Sequence, residues 1–219
     1  MKMLSRMLMG LALALTVLGF GVERASAFGF TCVTNNSATD CGIGEAQLSG
    51  DFSTNPPAGA GQVLLTLSNA GPLASSIAQV YLDDGVSALF SGIASIVNGS
   101  GVSFSVGGSP PDLPGGNTVG FTADFLATAD APVAPNGVNP GETLGIVLNL
   151  VSGKTLSDVL AELGSGDLRV GIHVQAFSSE GSESFVNGGG RTPIPEPSAA
   201  LVFGLGALLV HSASRRRTA

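Results

Sequence analysis

Tryptophan is missing from this chain, tyrosine occurs once, at Tyr81, and lysine and arginine together number nine in 219 residues. Each shortage closes off a class of function. Proteins that stack on sugar rings present aromatic platforms, and here only the phenylalanines remain, most of them at core-spaced positions. The cations are scarcer still where they would matter. Between Phe28 and Thr192 stand Lys154, Arg169 and Arg191 against fourteen carboxylates. Nucleic-acid binding rests on cationic contacts to phosphate, so a body this acidic excludes it.

Catalytic motifs are equally sparse. The chain has no Gly-x-Ser-x-Gly elbow, no His-Glu-x-x-His pair and no phosphate-loop lysine motif. His173 is the single histidine between the two ends, so a Ser-His-Asp triad would have to use it. Its place on the outward face of a strand points instead to a structural role. Paired carboxylates can hydrolyse glycosides, and Asp83-Asp84 and Glu180/Glu183 are the candidates. Neighbours on a strand end point apart, and turn carboxylates are ordinarily solvated. Asp83, Asp84 and the carbonyls around Gly85 also offer oxygen donors of the kind calcium accepts, without EF-hand spacing. The expectation is a non-enzyme with no cofactor and no metal.

Two cysteines, Cys32 and Cys41, lie close together near the start of the body. An even count in an exported chain favours a disulfide between them. The competing reading, a metal pair, lacks further cysteine ligands, and His173 is distant in sequence. The intervening residues 33–40, rich in Asn, Thr and Ser, form a flexible loop able to close.

What the chain has in abundance is apolar sequence at its two ends. Lys2 and Arg6 precede an uncharged run from Leu8 to Val22, followed by Ala25-Ser26-Ala27. Basic region, short apolar region and small residues at the −3 and −1 positions make a secretory signal peptide, residues 1–27, cut by signal peptidase after Ala27. The run falls short of the ~20 residues that span a bilayer. At the other end Pro195-Glu196-Pro197 leads into the apolar stretch Ser198 to Val210, and Arg215-Arg216-Arg217 stands two residues from the terminus. An apolar helix partitions into hydrocarbon while three guanidinium groups stay cytoplasmic. The body is thereby left outside the inner membrane, which holds the tail transiently. The two prolines keep Glu196 in an extended segment at the membrane surface.

Those three ordered features over residues 195–219 resemble the PEP-CTERM sorting signal of Gram-negative bacteria. The resemblance implies an exosortase-like membrane transpeptidase as processing partner, removal or replacement of the tail, and delivery to the cell surface or extracellular polysaccharide matrix. The body also resembles other exported proteins that share such a tail, over Gly101 to Gly107, Leu113-Pro114-Gly115-Gly116, and Gly171 to Gln175 through Gly181 to Phe185. That second resemblance brings no activity with it.

Residues 28–187 read as one domain of short strands separated by Gly, Pro, Asn and Ser, with a tether over 188–194. Val63 to Leu67, Ile77 to Leu82, Val102 to Val106, Val119 to Ala127, Leu144 to Leu150, Leu168 to Phe177 and Ser184 to Val186 carry the alternation of half-buried strands. Leu168, Val170, Ile172 and Val174 should point inward, with Arg169, His173 and Gln175 outward. One segment has helical spacing: Thr155 as N-cap with Asp158 three residues on, then Leu156, Val159, Leu160 and Leu163, and Gly164 as C-cap. The fold expected is an all-β antiparallel sandwich of jelly-roll or immunoglobulin-like type with one short helix, flanked by the N-terminal signal and the C-terminal apolar helix. Its role is that of an exported envelope or matrix protein. The rival readings are a carbohydrate- or calcium-dependent adhesion module and a carboxylate-dependent glycan hydrolase.

Overall fold

The computed structural model describes residues 26–85, 88–108 and 111–187. Ten strands follow one another: β1 (Ser26–Cys32), β2 (Leu48–Ser53), β3 (Gln62–Asn69), β4 (Ser76–Asp83), β5 (Phe90–Asn98), β6 (Phe104–Val106), β7 (Phe125–Ala129), β8 (Thr143–Leu150), β9 (Arg169–Gln175) and β10 (Glu183–Asn187). Every strand pair is antiparallel, in the order β5-β8-β3-β2-β1-β10-β9-β4-β7-β6. The expected all-β antiparallel class holds, but the two layers are halves of one sheet. β1 joins them: Ser26 to Gly29 pair with β2, and Phe30 to Cys32 pair with β10. The sheet rolls until its two end strands approach, where the Asn98 side chain accepts from Phe104 N at 2.9 Å and donates to Phe104 O at 3.3 Å. The result is a nearly closed barrel around an apolar core.

The core follows from the period of 2 along each strand. Val63, Leu65 and Leu67 of β3, Leu144, Ile146 and Leu148 of β8, and Val170, Ile172 and Val174 of β9 are all buried in it, joined by Phe30, Phe52 and Phe185. At ~25 cal/mol per Å² of apolar surface removed from water, these rows supply the main drive to roll the sheet.

A barrel needs its ends stopped, and helices do this. The single expected helix forms as α3 (Leu156–Ser165; the intermediate helices are α1, Ala38–Gln47, and a one-turn α2, Val133–Asn136). Its Thr155–Asp158 capping box is present, and it runs past Gly164 to a left-handed C-cap at Gly166, φ 85°. Val159 and Leu163 are buried in the core at one end of the barrel. α1 is a second ten-residue helix that the expectation of one helix omits. It closes the opposite end, with Gly44 set against the Phe185 ring so tightly that any Cβ there would collide with it.

The register places each connection at one end or the other. Segments 33–47, 70–75, 99–103, 130–142 and 176–182 lie at the α1 end. Segments 54–61, 84–89, 107–124 and 151–168 lie at the α3 end, where β1 also begins and β10 ends.

The expected strand over Val119 to Ala127 is corrected: the strand is Phe125–Ala129, and Gly116–Val119 is a 3-10 turn. The alternation of Val119, Phe121 and Ala123 arises because this segment lies across the outside of the barrel. Phe121 is turned onto the sheet and Val119 stays 43 % exposed. Among the described residues no helix is long and apolar enough to cross a membrane.

Candidate functional site

Polar and charged side chains gather on the outer face of the β10-β9-β4-β7 half-sheet, and register sets them in three rows. The middle row is apolar: Leu126, Tyr81, Gly171 and Val186 stand side by side across four strands. With no side chain at Gly171 the row has a gap, and the 107–124 connection fills it with Leu113 and Phe121. These five side chains form a second buried cluster outside the barrel. A Cβ at residue 171 would meet Leu113 Cδ2 at 2.8 Å and Phe121 Cζ at 2.9 Å.

The row toward the α3 end pairs Asp83 with Arg169. The Arg169 guanidinium lies 5.3 Å from the Phe121 ring centroid. It donates to Val119 O at 2.7 Å, to Gly120 O at 2.5 Å and to the Asp83 carboxylate. Asp83 also accepts from Thr122 N at 3.0 Å and Gly85 N at 3.2 Å. Arg169 is therefore a clamp, holding the connection down by two carbonyls, a ring and a carboxylate.

The row toward the α1 end holds Gln79, His173 and Ser184. Tyr81 Oη donates to Gln79 Oε1 at 2.9 Å, and His173 Nδ1 lies 3.1 Å from Ser184 Oγ. Burial lowers the His173 pKa below its ordinary value, with the Glu183 charge opposing that shift. The pair has the elements of a serine–histidine dyad, but Ser184 is fully buried, so its hydroxyl is closed to a substrate. His173 faces outward as expected, half-buried.

Two carboxylate expectations are corrected. Asp83 and Asp84 are not solvated: they are 5 % and 3 % exposed. Asp84 accepts from Leu89 N at 3.0 and 2.9 Å and from Phe90 N at 3.0 Å, so its oxygens meet backbone donors. Desolvation raises its pKa, with Asp124 and Glu162 adding charge repulsion against the lowering effect of those amides. Glu180 is exposed, but Glu183 is 1 % exposed, because it lies on the inward side of β10 beneath the Cys32–Cys41 loop. It accepts from Ser37 N at 2.6 Å, Asn36 N at 3.1 Å and Thr34 Oγ1, which binds the segment leading into α1.

Cys32 and Cys41 are joined in a disulfide. The loop they close is not wholly flexible, since α1 begins inside it at Ala38, with Ser37 as N-cap accepting from Asp40 N at 3.3 Å. Among the described residues, Cys32, Cys41 and Glu183 form the one group of metal-type donors within reach of each other. With the sulfurs bonded to one another, it offers no thiolate.

Of the processing residues, Ala27 lies in β1, paired with Asp51. Ala25, Pro195, Glu196, Pro197, Arg215, Arg216 and Arg217 lie outside the described residues, as do both expected terminal apolar helices. Set against protein-family models, curated proteins and solved structures, the chain matches none.

Proposed function

We propose that this chain is an exported, non-catalytic protein of the cell envelope or extracellular polysaccharide matrix. Signal peptidase releases it after Ala27, and an exosortase-like membrane transpeptidase reads Pro195-Glu196-Pro197 in its tail. The observation that carries this reading is that β1 begins and β10 ends at the same end of the barrel, with Phe30 opposite Asn187. The described chain thus begins and ends at one pole. A tail held in the inner membrane leaves the α1 pole and its five connections facing away from the bilayer.

The energetics agree. The barrel core is built from residues between Phe30 and Phe185, so the domain can outlast loss of both ends. Cutting after Ala27 removes two ladder pairs, to Phe52 and Asp51, and keeps those of Phe28 with Gly50 and Gly29 with Ser49. Because Ala27 is a paired strand residue in the folded domain, the cut falls before β1 docks. Arg169 and Asp83 of the outer face are engaged in holding the 107–124 connection, which suits a scaffold better than a hydrolase. The fold is read here as a sandwich whose two layers share β1.

The test replaces Pro195-Glu196-Pro197 by Ala-Ala-Ala in the full, tagged chain. Retention in the inner membrane at higher apparent mass is the expected result. Unchanged mass and location beside the parent overturn sorting and leave a plain tail anchor.

A further inference from the structure

The two halves of the sheet differ in charge. β3, β8 and β5 are adjacent, and none of their residues is ionisable. The opposite half carries Arg169, Asp83, Glu183 and His173. In a domain with fourteen carboxylates against two cations, Lys154 and Arg169, these three uncharged strands are where a second copy meets the least repulsion.

That half ends in β5, whose nine residues pair with β8 on one side. On its other side stands β6, only three residues long and tied to it through Asn98 and Phe104. Among the described residues, most of the β5 edge therefore has no strand alongside. Natural edge strands are protected by lysine, proline or inward charge, and β5, Phe-Ser-Gly-Ile-Ala-Ser-Ile-Val-Asn, has none. Its one protective device is a pair of irregularities, between Phe90 and Gly92 and between Ile93 and Ser95. From Ser95 to Asn98 the ladder with β8 is regular again. The exposed side chain beside it is apolar: Val97 is 37 % exposed and flanks Gly145, while Leu64 and Val147 in the neighbouring rows are buried.

We propose that β5 is a self-association edge, pairing antiparallel with β5 of a second copy about a two-fold axis near Ala94 and Ser95. The pairing brings the uncharged strands β5, β8 and β3 of two copies into one continuous sheet and holds the charged outer faces around Arg169 and Asp83 apart. Main-chain hydrogen bonds supply the affinity, as in other strand additions, and an isologous edge contact closes at two copies rather than growing into a fibre.

The test uses the full chain carrying Ser95→Cys or Ala94→Cys, both exposed small residues, oxidised with copper phenanthroline and run on a non-reducing gel. A band at twice the chain mass is expected for these variants and not for Ala58→Cys in the β2–β3 connection. Raising the salt should increase its yield by screening the acidic bodies, and adding Ala94→Lys to Ser95→Cys should abolish it. Equal dimer from Ala58→Cys, no dimer from either β5 variant, or an adduct of another mass overturns the proposal. So does a yield that falls with salt.

Discussion

Phe121 lies on the bare backbone of Gly171, and the two are matched: a Cβ on the glycine would come within 2.9 Å of the ring. A single hydrogen in place of a side chain lets the β6–β7 connection set Leu113 and Phe121 on the outside of the barrel and bury Phe121 to 5 % exposure. Gly171→Val should therefore act as an overpacking substitution and cost about 2 kcal/mol. Phe121→Ala empties the same socket and should cost about 3 kcal/mol. Denaturant unfolding reads both losses, and limited proteolysis should cut first within 107–124. A Gly171→Val variant of parental stability, with that segment still protected, contradicts the arrangement.

Arg169 gives a second, separable prediction. Replacing it by Met removes the donors to Val119 and Gly120 and leaves the Asp83 carboxylate, 5 % exposed, without its ion-pair partner. Stranding a buried charge costs about 3–5 kcal/mol. Adding Asp83→Asn should restore part of that loss, because the amide needs no counter-charge. A double-mutant cycle that shows simple additivity would mean the two residues are not coupled.

The parts of this fold legible in the sequence are strands that send every second side chain into the core. β3, β8 and β9 are of this kind, and their alternation gives both position and facing, down to Arg169 and His173 on the outside. α3 is legible because its cap and apolar face coincide. α1 is not: Ala-Thr-Asp-Cys-Gly-Ile-Gly-Glu-Ala-Gln has two glycines and no apolar stripe, and its helix depends on the disulfide and on Glu183 at its entry. β5 escapes notice because its two register shifts break the alternation that marks a strand. The misplaced strand at Val119 has a different cause: Val119 is exposed on a 3-10 turn, and the apolar residue at 121 is buried because the loop lays it on the sheet from outside. Asp83, Asp84 and Glu183 look like turn residues in sequence. Only tertiary partners, an arginine 86 positions away and amides from other segments, reveal that they are buried.

Two ties hold the α1 entry, and they should prove redundant in part. Breaking the Cys32–Cys41 bond by Cys→Ser at both positions frees a short loop and should cost about 2.5 kcal/mol by the chain-entropy account. Glu183→Gln keeps the volume but gives up the anion that Ser37 N, Asn36 N and Thr34 Oγ1 converge on, and should cost about 2–3 kcal/mol. Both act on the same few residues, and each cushions the loss of the other, so the combined variant should lose more than the sum. Hydrogen exchange in 38–47 supplies the local readout, with protection falling first there.

His173 ties stability to pH, and the direction follows from its surroundings. Burial between Gln79 and Ser184 disfavours the imidazolium, so its pKa in the folded chain lies below the ordinary 6.5. The Glu183 charge, on the other side of the sheet, offsets only part of that. Between the two pKa values the unfolded chain binds more protons than the folded one, so stability rises with pH across this window. The contribution is complete above about pH 6.5 and is lost as the pH falls from there through the lowered folded value. Asp84 works in the opposite sense at lower pH. Its folded pKa is raised from 3.8, so its contribution is fullest in acid and declines as the pH rises through that range. His173→Gln should keep a polar contact to Ser184 while flattening the stability profile just below pH 6.5. If denaturant midpoints of parent and variant fall in parallel there, the histidine carries a partner that neutralises its charge, and its row on the outer face has been misread.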